Sequence, residues 1–238
     1  MNLPRQHLLD LKPEQIPTLD NFVPGGNREL IGRLRLLCKS DCFDALYLWG
    51  LPGCGRSHLL QAVADQATGQ RPVTALDAIA AGDSFLLPPG SLLVIDNLDR
   101  LDAAGQTALF KAFNAARLAG IALLLSGPVP PRELELREDL RTRIGQTLIY
   151  EIKALSDEEK AEALQRHALM RGMRMDDALL QYLLRHGRRD LPALMNVLDA
   201  LDRVSLEQQR PATLPLLREV MQQNLFTDEQ TPEEKPDA

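Results

Sequence analysis

From Leu46 to Leu60 the chain reads Leu-Tyr-Leu-Trp-Gly-Leu-Pro-Gly-Cys-Gly-Arg-Ser-His-Leu-Leu, an apolar run of strand length that enters a glycine-bearing loop and leaves it as a helix. A buried strand feeding a helix in this way is one half of a parallel α/β unit, so no other stretch restricts the fold as strongly. Gly50, Gly53, Gly55, Arg56 and Ser57 fall at the positions of G-x-x-x-x-G-K-[ST], with arginine in the place of lysine. Glycines there let successive N–H groups turn toward one point without Cβ collisions. The start of the helix adds its positive dipole end, and the hydroxyl after the basic residue can ligate Mg²⁺. The chemistry this favours is a phosphate cradle made of Gly50, Leu51, Pro52, Gly53, Cys54, Gly55, Arg56, Ser57 and His58. From the loop alone, a strand-to-helix turn with no ligand is the alternative.

A second run, Ser91-Leu-Leu-Val-Ile-Asp96, reads as a buried strand ending in a carboxylate. In a nucleotide-binding sheet such a carboxylate stands beside the cradle, so Ser57 and Asp96 are expected to share one Mg²⁺, Asp96 through water. Taken by itself, Asp96 could equally cap the next turn. Around these two runs, helices are expected over Arg28 to Lys39 and Ala103 to Leu118, the latter turning Leu109, Phe110 and Phe113 inward. Strands are expected over residues 73–76, Ile121 to Ser126 and Leu148 to Ile152, with a helical turn from Asp77 to Gly82. Strands alternating with helices make a parallel sheet with its ligand at the strands' carboxyl ends.

From Leu155 the pattern becomes helical throughout. Ser156-Asp-Glu-Glu159 is a capping box opening a helix to about Arg171. Asp176 or Asp177 caps a second helix to His186, a third runs from Asp190 to Val204, and a fourth from Leu214 to Gln223. The expected organisation is an amino-terminal peptide (1–17), an α/β nucleotide-binding domain (18–154), a small helical domain (155–224) and a disordered acidic tail (225–238).

Only 4% of the 238 residues are aromatic, so the core must come from Leu, Ala, Val and Ile, which suits helices on a parallel sheet. A net charge of −6 gives no domain-wide basic field, and DNA is expected to be reached only through a partner. Cys38, Cys42 and Cys54 lack the paired spacing of a zinc site and read as reduced thiols. With no apolar leader and no membrane-length run, the expected location is the cytoplasm.

Several strings together resemble the AAA+ core of the bacterial initiator family typified by DnaA: Leu19-Asp-Asn-Phe-Val-Pro-Gly-Gly-Asn27, Gly55-Arg-Ser-His-Leu-Leu60, Leu93-Val-Ile-Asp-Asn97, Pro130-Pro-Arg-Glu-Leu134 and Leu155-Ser-Asp-Glu-Glu-Lys160. The likeness runs from about residue 15 to residue 224. Arg56, the absence of a helix-turn-helix stretch after the helical domain, and the segment Gln6-His-Leu-Leu-Asp-Leu11 resemble the Hda branch of that family. The resemblance implies an AAA+ α/β domain followed by a helical lid, with ADP or ATP and Mg²⁺ as cofactors. It implies DnaA and the DNA polymerase III sliding clamp (β subunit) as partners, and leaves self-association open. In that branch the protein rides the clamp and makes DnaA hydrolyse its ATP, which restrains replication initiation.

Carried over by position, Phe22 and Val23 flank the base, Gly50 to Ser57 wrap the phosphates and Asp96 holds the ion. Arg189 is the second sensor. Arg143 is the arginine finger, with Arg141 as a substitute and a surface pairing to Glu138 or Asp139 as the plainer reading. Gln6, Leu9 and Leu11 match the Q-x-x-L-x-L peptide that docks on the clamp; packing of these leucines on the domain is the alternative. Departures from the pattern also matter. Arg56 suits a diphosphate, Asn97 replaces an acid that would polarise water, Pro128-Val129 replaces Asp-Arg at the first sensor, and Pro192 enters the first turn after Arg189. These favour holding nucleotide, ADP rather than ATP, with little intrinsic hydrolysis. An autonomous ATPase such as a helicase loader, and a clamp adaptor merely stabilised by nucleotide, are the competing functions.

Overall fold

The computed structural model describes residues 16–39, 43–80, 85, 87–188 and 190–228, so the expectations placed on Gln6, Leu9, Leu11, Cys42, Arg189 and the end of the acidic tail lie outside it. The chain divides into two compact units, one from Glu14 to Leu155 and one from Ser156 onward.

In the first unit, five parallel strands form one sheet: β1 (Ala45–Trp49), β2 (Val73–Asp77), β3 (Leu92–Asp96), β4 (Ala122–Gly127) and β5 (Leu148–Glu151), in the spatial order β2-β3-β4-β1-β5. Helix α1 (Arg28–Lys39) precedes the first strand, and α2 (Arg56–Ala67), α3 (Ala103–Ala119) and α4 (Glu138–Gly145) run between later ones. Both faces of the sheet are covered, which explains why its central strands are unbroken apolar runs. Leu46, Leu48, Leu92, Val94 and Leu124 face α1 and α2, whereas Tyr47, Leu93, Ile95, Leu123 and Leu125 face α3 and α4. From β1 the chain crosses by α2 toward the β2 edge, and from β4 it crosses by α4 to β5. The crossovers part beside β1, and there the carboxyl ends of the strands leave a crevice.

Helix α3 opens on Asp102, whose carboxylate accepts from the Gly105 N–H at 2.7 Å, and stops at Gly120 in the left-handed region (φ 65°). Leu109 and Phe113 are buried as expected, but Phe110 is only partly so, because one of its faces carries arginine side chains instead of the core. Of the expected helical turn from Asp77 to Gly82, the described residues show a 3-10 turn at Ala78–Ala80, and residues 81–82 lie outside them. Two buried polar side chains brace the unit. Asn27 donates to the Lys153 carbonyl (3.0 Å) and accepts from the Lys153 N–H (2.8 Å), joining positions far apart in sequence. Arg71 spreads its donors over the carbonyls of Leu37, Gly90, Ser91 and Gly120. Satisfied in this way, neither incurs the cost of an unpaired buried polar group.

The second unit consists of α5 (Asp157–Met170), α6 (Asp177–His186), α7 (Leu191–Glu207) and α8 (Leu214–Asp228) around Leu164, Leu183, Leu198, Leu201 and Leu217. Its helix starts follow from sequence. Ser156 and Glu159 exchange both bonds of a capping box, and Asp176 and Asp190 cap the next two helices through Leu179 N–H and Ala193 N–H. Pro192 sits in the first turn of α7, where its missing N–H has no intrahelical partner to lose. The buried His167 is paired with Asp199 at 2.6 Å, and Arg171 reaches the same carboxylate at 2.7 Å. Among the described residues no helix is long and apolar enough to cross a membrane.

Candidate phosphate-binding site

The loop after β1 is shaped by what glycine alone tolerates. Gly53 and Gly55 adopt φ of 76° and 98°, and a Cβ on Gly55 would lie 2.7 Å from the Phe22 ring. At Gly50 a Cβ would meet Cys54 Sγ at 2.9 Å and the Ile152 carbonyl at 3.0 Å. The loop is closed by a bond from Cys54 N–H to the Leu51 carbonyl (3.1 Å), while Leu51, Pro52 and Gly53 at its tip are exposed. Burial pushes the Cys54 thiol above its usual pKa, so it is a packing group and not a thiolate.

Phe22 packs over the loop, and Val23 beside it is half-buried. His58, one turn into α2, places Nε2 3.1 Å from the Thr18 carbonyl and its ring 5.7 Å from that of Phe22. A carbonyl only accepts, so Nε2 carries the proton and His58 fastens the Thr18–Phe22 segment to the helix. Thr18 and Asn21 exchange hydrogen bonds that fix the segment from within. His58 is thus a brace of the wall around the cradle.

Ser57 and Asp96 converge as the spacing predicts: the Ser57 hydroxyl donates to Asp96 Oδ2 at 2.5 Å. The other carboxylate oxygen accepts from the Ser126 hydroxyl and from the Asn97 N–H (3.0 Å). Asn97 itself stands in the left-handed region (φ 57°, ψ 53°) and gives its side-chain amide to Asp77 Oδ2 at 2.8 Å. Bonds from the Ile79 N–H and from Asn97 hold the Asp77 carboxyl below its usual pKa, with the charge of Arg100 adding to them. The residue in the place of a water-polarising acid is therefore committed to the neighbouring strand.

Arg56 tests whether an anion suits the loop. Its Nη1 is buried and has no hydrogen-bond partner among the described residues, an arrangement that a phosphate oxygen would satisfy. For the cation, no cluster of three or more His, Cys, Asp or Glu side chains gathers among the described residues. Ser57 and Asp96 supply one hydroxyl and one carboxylate, the sparse set typical of Mg²⁺ held between protein, water and phosphate oxygens. The residues present fit both groups.

Arg143 lies on α4 with its guanidinium 5.5 Å from the centre of the Phe110 ring. Arg137 lies 5.9 Å from the same ring and is tied to Asp139 (2.7 Å) and Thr107 (3.0 Å). Asp139 is thus engaged by Arg137, and among the described residues Arg143 has no carboxylate partner, so the surface pairing expected as the plainer reading is not formed. Phe110, Arg137, Glu138, Asp139, Thr142 and Arg143 line an open depression. Arg141, the substitute finger, is half-buried on the same helix.

Two residues that touch the site were passed over in the sequence. Ser126 is the first polar side chain after the apolar run of β4, and Asp77 ends β2 level with Asp96. A polar residue at the carboxyl end of each parallel strand was the available signal.

A parallel five-stranded sheet with this strand order, a glycine loop after β1 and a carboxylate ending β3 define the AAA+ fold. The solved structures agree. Domain III of the replication initiation protein DnaA from Thermotoga maritima superposes with a TM-score of 0.72 at 16% identity, covering 88% of this chain and 97% of that one. The replication initiator DnaA bound to AMPPCP and single-stranded DNA gives 0.65 at 19%, covering 82% and 68%. The Holliday junction branch migration motor RuvB of Thermotoga maritima gives 0.69 at 19%, covering 91% and 75%. Residues 157–221 match the family described as Hda, lid domain. The α/β unit thus has the fold of the AAA+ domains of DnaA and RuvB, and the helical unit carries the match to the Hda lid domain.

Proposed function

We propose that the protein binds ADP or ATP with Mg²⁺ in the Gly50–Ser57 cradle and uses Arg143 to promote hydrolysis of ATP held by DnaA. Docking on the sliding clamp through Gln6, Leu9 and Leu11 brings the two proteins together, and the outcome is negative regulation of replication initiation. In this reading Phe22 and Val23 flank the base, Arg56 meets the phosphates, and Ser57 and Asp96 hold the ion. The cation supplies charge neutralisation between the phosphates when bound.

The observation that carries the reading is the state of Asn97. Its amide is engaged by Asp77 at 2.8 Å, and an amide is no base, so at that position nothing polarises water. Chemistry is then expected at another protein's nucleotide, toward which an arginine without a carboxylate partner is a suitable tool. The AMPPCP bound to one DnaA relative supports nucleotide as the ligand class, and the lid-domain match supports a replication setting.

The test is the hydrolysis of DnaA-bound ATP with and without this protein, with clamp-loaded DNA supplied or withheld. Stimulation that needs the protein and the loaded clamp together is the expected result. Turnover of free ATP by the protein alone, abolished in Asp96→Ala, with no effect on DnaA, would replace this reading with an autonomous ATPase.

A further inference from the structure

Asp77 and Asp96 end neighbouring parallel strands in matched register. Two carboxylates so placed repel unless each is tied down, and one residue, Asn97, donates to both. Asp77 accepts from the Ile79 N–H (3.0 Å) and from the Asn97 amide (2.8 Å). Asn97 is one of only two non-glycine residues with positive φ among those described, a conformation that asparagine adopts more readily than other residues with a Cβ but still at more cost than glycine. The bond to Asp77 compensates that cost. In this conformation the Asn97 N–H donates to Asp96 Oδ1 (3.0 Å), where the Ser126 hydroxyl also donates.

The two oxygens of Asp96 are thereby given different tasks. Oδ1 is tethered by Asn97 and Ser126, and Oδ2 is left facing Ser57 at 2.5 Å, the side on which a cation would be shared. A carboxylate that has lost its tether can turn in place and present either oxygen, or both, to solvent. Outer partners of this kind commonly govern the affinity of the ion more than their distance from it suggests.

We infer that Asp77 is a positioning residue for the cation side of the cradle: it pins Asn97 in the left-handed conformation, and the Asn97 backbone in turn fixes Asp96. The inference rests on the reading of the cradle as a Mg²⁺-nucleotide site. Asp77 touches neither nucleotide nor ion in this scheme, and acts only through Asn97.

The test is calorimetric titration of ADP into the full chain, once with Mg²⁺ and once with EDTA, for the wild type and for Asp77→Ala. The gain in affinity that Mg²⁺ confers should fall by about tenfold in Asp77→Ala, while the affinity in EDTA stays within about twofold of wild type. Asp77→Asn, which keeps the shape but can serve only one of the two donors as an acceptor, should show a smaller loss of the same kind and serves if the alanine variant does not fold. Glycine accepts the left-handed region without strain, so Asp77→Ala/Asn97→Gly should recover the Mg²⁺ gain to within about threefold of wild type. Equal weakening in Mg²⁺ and in EDTA would mean a general structural role and overturn the inference. So would an unchanged Mg²⁺ gain, or a double variant no better than Asp77→Ala. Failure of the wild type to bind ADP in either medium would instead remove the underlying nucleotide reading.

Discussion

The cradle and the Arg143 surface lie in the same α/β unit and treat charge in opposite ways. Around the cradle nearly every polar group is spoken for: Ser57, Ser126 and Asn97 converge on Asp96, Asp77 holds Asn97, and His58 holds Thr18. Among the described residues Arg56 Nη1 stands apart there, a buried donor without a partner. At Arg143, Asp139 is engaged by Arg137, and the guanidinium rests on the Phe110 face with no carboxylate partner among the described residues. The first arrangement suits retaining a ligand in one geometry. The second suits meeting something brought from outside, since a guanidinium with no carboxylate partner has no ion pair to give up on contact.

The sharpest way to break this contrast is Arg143→Ala. On the proposed function it should slow stimulated hydrolysis of DnaA-bound ATP by about 10³-fold or more, roughly 4 kcal/mol in the barrier, with ADP affinity unchanged. Gly55→Ala strikes the other side: φ of 98° and the Phe22 ring 2.7 Å from the new Cβ should lower ADP affinity by about tenfold to a hundredfold, read by calorimetry. Asn27→Ala orphans both backbone groups of Lys153 and should destabilise the unit by about 2 kcal/mol in urea unfolding. Phe110→Ala removes the platform beneath Arg143. A cation–π contact of about 1 kcal/mol corresponds to roughly fivefold in stimulated rate, with the unfolding midpoint as the control.

The smallest effect concerns pH. Asp77 is held below its unfolded value of 3.8, so its contribution to stability is complete above that value and is lost as pH falls through the lower, folded one. Asp77→Asn should therefore flatten the acid limb of unfolding midpoint against pH below about pH 4, and leave the slope near neutrality as it was.

What the sequence disclosed, and what it hid, divides along the same physical line. Strands doubly buried in a parallel sheet announce themselves as apolar runs, and two of the helix starts announce themselves through Ser156 and Asp176. Ser57 and Asp96 were legible because the phosphate loop and the strand-end acid are local patterns. The contacts of Ser126, Asp77 and Asn27 were not, because they depend on lateral neighbours. β4 lies between β1 and β3, and β2 lies beside β3, an order no local pattern encodes. Phe110, expected to point inward, packs on the core with only part of its ring, for a related reason. Its helical spacing puts it at the edge of the buried face of α3, and only the arrival of α4 decides that it supports arginines.

The central claim is that nucleotide is held at one place and chemistry is exerted at another. Its most direct measurement is single-turnover phosphate release from DnaA loaded with radiolabelled ATP, in the presence of clamp-loaded DNA and this protein saturated with unlabelled ADP. The account predicts rapid release with the wild type, release at the basal rate of DnaA with Arg143→Ala, and equal ADP occupancy in both. Release as fast with Arg143→Ala as with the wild type would contradict it.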